Sequence, residues 1–155
     1  TRYGIDFSRN ITSNLEIHGE FAFIKDFEKN IINSSGEFLK SVYDAKSYLL
    51  GTRYLTELDT TFIIEYYNNG TGFQDFIYTR ISHKESFDIL HFNPSITWIY
   101  NTNDKSCSLS PELVYTGITN LELRLKTGFL SGQRNSEYEE KQNEYRVELR
   151  IRYYF

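Results

Sequence analysis

The chain has 155 residues and a net charge of −4, with no basic cluster interleaved with aromatics, so neither its charge nor its pattern points to nucleic acid. Its 13 Tyr and 12 Phe against 9 Gly, 2 Pro and no Met favour strands, because aromatic and β-branched side chains suit a pleated, half-buried surface. A mean hydropathy of −0.51 and the lack of any apolar run near about 18 residues exclude a membrane-crossing helix, but not a crossing by strands, where every second side chain can be polar.

Alternation of apolar and polar residues begins at once. Arg2 to Arg9 puts Tyr3, Ile5 and Phe7 on one side, and "NITSN" (Asn10 to Asn14) turns the chain. Leu15 to Lys25 sets Leu15, Ile17, Phe21 and Phe23 against Glu16, His18 and Glu20. Asp26 to about Ala45, rich in Asn, Ser and Lys, reads as a long irregular loop. Ser47 to Thr56 and Thr60 to Asn68 are strands joined by a tight "ELD" turn, and "NNGTGFQ" is a Gly-rich loop. Phe76 to His83 leads through a short "KESFD" connection to His91 to Asn101, and "TNDKS" leads to Cys107 to Thr116. "GITN" then turns into Leu121 to Leu130, a charged loop spans Ser131 to Gln142, and Asn143 to Phe155 closes the sequence. The reading is all-β: about nine strands in an antiparallel up-and-down meander.

Such strands separate a wet side from a dry side, and the dry side is either a protein core or lipid. A soluble calycin-like ligand-binding barrel would turn the apolar face inward; a membrane barrel would turn it outward. Two patterns favour the membrane. Turns at one end are short and loops at the other longer, as in outer-membrane barrels. Along the apolar face, Phe7, Tyr54, Tyr115, Tyr153 and Phe155 lie near the short turns and Phe23, Tyr48, Tyr66, Trp98, Tyr100, Phe129 and Tyr145 near the loops. Aliphatic residues such as Leu50, Ile64, Ile96, Leu123, Leu125, Leu149 and Ile151 fall between them. Two girdles of rings around an aliphatic band suit a bilayer-crossing wall. The opposite face then lines a lumen. Its candidate residues are Glu16, His18, Glu20, Arg53, Glu65, Arg80, Glu112, Glu122, Arg124, Lys126, Arg146, Glu148, Arg150 and Arg152, with Asp6 beside them.

The last segment, "VELRIRYYF", alternates Val147, Leu149, Ile151, Tyr153 and Phe155 with Glu148, Arg150, Arg152 and Tyr154. In this it resembles bacterial outer-membrane β-barrel proteins of the porin type, whose last strand ends on Phe preceded by apolar or aromatic residues at alternate positions. The resemblance implies that Val147, Leu149, Ile151, Tyr153 and Phe155 form an assembly signal read by the barrel assembly machinery. It also implies a transmembrane barrel in the bacterial outer membrane, with the lipid bilayer as partner and a further subunit or a periplasmic or extracellular partner as an option. Bacterial single-chain barrels have an even strand number. Nine strands therefore lead to the expectation that the chain is the C-terminal part of a mature or truncated larger barrel, of about 12 or more strands.

No catalytic or metal-binding motif stands out. His18, His83 and His91 fall on different segments; His83 beside Ser82 reads as a solvated turn residue, since a nucleophile needs a base and an orienting group in reach. HExxH and CxxC spacings are absent, "NNGTG" has no helix behind it, and the lone Cys107 cannot form an intrachain disulfide. No enzymatic activity, cofactor or metal is expected. The expected function is a porin-like channel for passive diffusion of small polar or anionic solutes. Its alternatives are a barrel scaffold sheathing a partner protein or complex, and the soluble calycin-like barrel. Arg124, Lys126, Arg146, Arg150 and Arg152 crowd two neighbouring strands, either as a structural charge ladder or as a basic stripe for anions.

Overall fold

The computed structural model describes residues 1–32, 38–72, 74–139 and 144–155. The alternating segments form nine strands: β1 (Arg2–Asn10), β2 (Leu15–Ile32), β3 (Phe38–Leu55), β4 (Thr60–Asn69), β5 (Gln74–His83), β6 (Phe92–Asn101), β7 (Cys107–Ile118), β8 (Leu121–Ser131) and β9 (Tyr145–Tyr153). They build one sheet in the order of the sequence, every neighbouring pair antiparallel. The sheet is open, with β1 and β9 at its edges. An odd number of antiparallel strands makes those two edges run in the same direction.

Register fixes the faces, because opposed residues in a ladder project to the same side. Tyr3, Ile5 and Phe7 stand opposite Phe23, Phe21 and Gly19, and the same side continues through Leu50 opposite Tyr66, Ile81 opposite Ile96 and Leu125 opposite Leu149. From β6 to β9 the charges segregate completely. The eight charged residues of those strands (Glu112, Glu122, Arg124, Lys126, Arg146, Glu148, Arg150 and Arg152) all lie on the other face, with Ile99, Val114 and Leu130 sharing it.

Among the described residues only Ala45 and Tyr138 are buried apolar side chains. The apolar face is open instead: Leu50 is 59%, Ile64 52% and Leu149 69% exposed. On the charged face, by contrast, the side chains of Glu112 and Glu122 are only 11% and 12% exposed. The low exposure of these two carboxylates goes with the guanidiniums of Arg80, Arg124 and Arg152 beside them; on the same face Arg146, Arg150 and Arg152 are 71%, 45% and 47% exposed.

Three expectations about connections and ends are corrected. Asp26 to Ala45 is not an irregular loop: apart from residues 33–37, which lie outside the description, it is the outer half of the β2–β3 hairpin. A bulge between Ile24 and Phe27 inserts one extra residue opposite Asp44, with Asp26 at φ 55°, and it reverses which face each parity occupies. Phe27 and Tyr43, edge to face at 5.5 Å, accordingly stand on the charged side of the sheet. The "KESFD" connection is also longer than expected, covering residues 84–91 with a 3-10 turn at Ser86–Asp88. Four of its residues, Glu85, Phe87, Asp88 and His91, have positive φ. The length contrast between the two ends thus resides in the β2–β3 extension and residues 132–144. Finally, β9 stops at Tyr153, so Tyr154 and Phe155 lie past the ladder, the Phe155 ring packing edge-on against Tyr153 at 5.3 Å.

Candidate functional site

All fourteen predicted wet-face residues share one side of the sheet. Register carries that side from Asp6 opposite Glu20 and Ser8 opposite His18, through Glu16 opposite Arg53 and Gly51 opposite Glu65, to Ile63 opposite Arg80. It continues through Ser95 opposite Glu112, Glu112 opposite Lys126, and Glu122, Lys126 and Gly128 opposite Arg152, Glu148 and Arg146. The pleat alone produces this arrangement.

On β5 to β9 these residues form a ladder of shared charges. Glu112 lies between Arg80 Nη2 at 3.6 Å and Arg124 Nη1 at 3.2 Å. Glu122 lies between Arg124 Nη2 at 3.3 Å and Arg152 Nη1 at 4.0 Å, and also accepts a hydrogen bond from the Tyr154 hydroxyl at 3.2 Å. Glu148 lies between Arg146 Nη2 at 3.6 Å and Arg150 Nη2 at 2.7 Å. Arg80 also donates to Ser95 Oγ at 3.1 Å, tying β5 to β6. Although Arg124 Nη2 is within ion-pair distance, no donor is aligned on Glu122 Oε1, and Arg124 Nε has no acceptor. That pair is held by charge rather than by directed hydrogen bonds.

The β1–β4 side is organised differently. His18 on β2 meets Glu65 on β4 at 3.1 Å between Nε2 and Oε1, reaching across the intervening β3. Gly51 makes this possible, because a Cβ there would collide with the His18 ring and come within 2.7 Å of Glu65 Cγ. Nothing local to either partner announces the pairing, but a glycine inside a strand is a signal of close approach. Ser8 Oγ donates to Glu16 at 2.6 Å. Arg53 lies opposite Glu16 in register, and Glu20 lies opposite Asp6.

At the loop end, residues not foreseen as functional join two connections. Asp104 Oδ1 accepts hydrogen bonds from Ser106 N at 2.9 Å and Ser106 Oγ at 2.6 Å, while its Oδ2 accepts one from Glu137 N at 2.7 Å. Asn101 Nδ2 donates to Glu137 Oε2 at 3.1 Å, and Asn101 and Ser106 are fully buried. Burial by itself would raise the Asp104 carboxyl, but the donors from Glu137 and Ser106 outweigh it and hold it below its usual value. Tyr138 in the same cluster is pushed up to about 12 by burial and by the Glu137 and Asp104 charges. A D-x-S sequence is a recognisable turn signal; its long-range partner Glu137 is not.

The remaining candidates fall apart chemically. Ser82 and His83 project to opposite faces, and His83 Nδ1 pairs with Thr60 Oγ1 at 2.7 Å. Cys107 is half-buried at the start of β7 on the apolar face, opposite Tyr100. Among the described residues no group of three or more His, Cys, Asp or Glu could hold a metal ion. Val147, Leu149, Ile151 and Tyr153 share the apolar face of β9 and are exposed. Comparison with protein-family models, with curated proteins and with solved structures finds no match to the chain.

Proposed function

We propose that the sheet is part of the wall of an outer-membrane, porin-like channel through which small polar or anionic solutes diffuse passively. The observation that carries this reading is the segregation of charge on β6–β9: all eight charged residues lie on one face, and the other carries exposed Phe129, Leu149 and Ile151. A soluble calycin-like barrel would enclose the apolar side in a protein core. A membrane barrel needs lipid on the convex apolar side and water on the concave side. The ring girdles and the alternating end of β9 support the same environment and assembly by the barrel machinery.

Two measurements test the proposal. Fractionation of cells expressing the intact protein should recover it with the membranes, and recovery in the aqueous fraction would refute the membrane location. Planar-bilayer recording should show conductance steps; membrane-inserted protein with no conductance would favour the scaffold that sheathes a partner.

A further inference from the structure

We infer that the β8–β9 wall contains a subsite for a small oxyanion of two or more negative charges, centred on Lys126, Arg150 and Arg152. The inference rests on reading that face as water-filled, and it starts from a charge count. On β5 to β9 the charged face has six cations, Arg80, Arg124, Lys126, Arg146, Arg150 and Arg152, against three carboxylates, Glu112, Glu122 and Glu148. Each carboxylate is already shared by two guanidiniums. Three positive charges therefore stay uncompensated within one stretch of wall.

Their placement locates the excess. Arg124 and Arg150 are directly opposed in register, a like-charge juxtaposition that costs stability. The structure separates them: Arg124 turns to Glu112 and Glu122, while Arg150 turns along its own strand to Glu148. Lys126, next along β8 on the same face, makes no ion pair among the described residues, though Glu112 and Glu148 flank it in register. Arg150 and Arg152 remain nearly half exposed, with guanidinium donors left over for a ligand. Two planar forks beside a point charge suit a carboxylate or phosphate group, which accepts bidentate guanidinium contacts. A ligand with two or three charges would also neutralise the local excess.

The test uses the intact protein in detergent at low salt, with citrate as the probe and glucose as the uncharged reference, read by calorimetry. Wild type should bind citrate and not glucose. Lys126→Gln, which breaks no ion pair, and Arg150→Gln should each weaken citrate binding about tenfold or more, as expected for loss of a charge-assisted contact. Arg150→Lys should recover part of the loss, and Arg9→Gln, which removes a cation from the far edge and the other face, should leave binding unchanged. Heat-modifiable gel mobility reports whether each variant is folded. Absence of citrate binding in wild type, or equal weakening by Arg9→Gln and Lys126→Gln, overturns the subsite. Conductance distinguishes the two readings: a conducting protein that ignores citrate keeps the channel and loses the subsite, and a citrate-binding protein without conductance does the reverse.

Discussion

Replacing Asp104 by Ala should unlatch the connection between β8 and β9 without unfolding the sheet. The carboxylate receives three donors, two from Ser106 and one from the Glu137 backbone, and Ser106 is fully buried. Removing the acceptor strands the Ser106 N–H and hydroxyl away from water, at roughly 1–3 kcal/mol each, while the Glu137 N–H, nearer the surface, regains water. A local cost on the order of 3 kcal/mol raises the opened population about a hundredfold. Proteolysis tracks that population when reclosing is fast, so trypsin should cut after the exposed Arg134 about a hundred times faster. Asp104→Asn, which keeps an oxygen for Ser106 but turns an NH2 toward the Glu137 N–H, should give an intermediate rate. The pH dependence has a definite sign. Asp104 titrates lower in the folded protein than its usual 3.8, so its contribution is complete above the unfolded value and is lost as the pH falls through the lower folded one. Peptic cleavage next to Tyr138 should therefore accelerate in wild type only below about pH 4, and Asp104→Ala should not show that acceleration. Equal tryptic rates in wild type and Asp104→Ala would refute the reasoning.

Leu149→Arg, on the exposed apolar face of β9, should cost roughly 2 to 4 kcal/mol if that face meets the bilayer midplane, measured by urea unfolding in lipid; a change below about 0.5 kcal/mol, the range of ordinary surface substitutions, would place the residue in water. Gly51→Ala should part His18 from Glu65 and destabilise by about 1–3 kcal/mol, and His18→Ala in that background should restore some of the loss; no rescue would mean the clash lies elsewhere. Deleting Phe155 should impair membrane insertion, read by heat-modifiable mobility, and normal insertion would argue against an assembly signal. Because β1 and β9 run in the same direction, their direct pairing would be parallel, whereas bacterial outer-membrane barrels close with antiparallel strands. Ile5→Cys with Leu149→Cys, in a Cys107→Ser background, should therefore give no intrachain disulfide on oxidation, and an efficient one would establish direct closure.

The strands were legible because their chemistry has a period of two. Every charged residue of β6–β9 could be assigned a face from parity alone, and register confirms the assignment. Parity failed where the backbone changed phase. Phe23 and Phe27 have the same parity, yet the bulge at Lys25 and Asp26 sends them to opposite faces, so the alternation that marks a strand is interrupted and the segment reads as a loop. The 84–91 connection is longer than its sequence suggests for a related reason: Glu85, Phe87, Asp88 and His91 adopt positive φ without the glycines that usually advertise it. Contacts between distant segments, such as His18 with Glu65 or Asp104 with Glu137, depend on register and loop placement, which no local pattern encodes.

The two faces also constrain each other energetically. In water, an open apolar face of this extent is a liability, since each buried side chain of Leu or Ile size is worth about 1.5–3 kcal/mol and large exposed apolar patches mark contact surfaces. On the proposed reading, lipid would remove that liability without requiring a protein core, in keeping with described residues that bury only Ala45 and Tyr138 as apolar side chains. The sheet would then be held by its ladders and by the pairing on its charged side. There, shared between guanidiniums, Glu112 ties β5 to β7 and β7 to β8, and Glu122 ties β8 to β9, in a sheet whose described residues bury almost no apolar side chain. The same sharing leaves cations in excess, so the device that braces the wall also sets its charge. A substitution such as Glu122→Gln should for that reason act in two ways at once, loosening β8 from β9 and raising the positive charge of the face, whereas Lys126→Gln changes the charge alone.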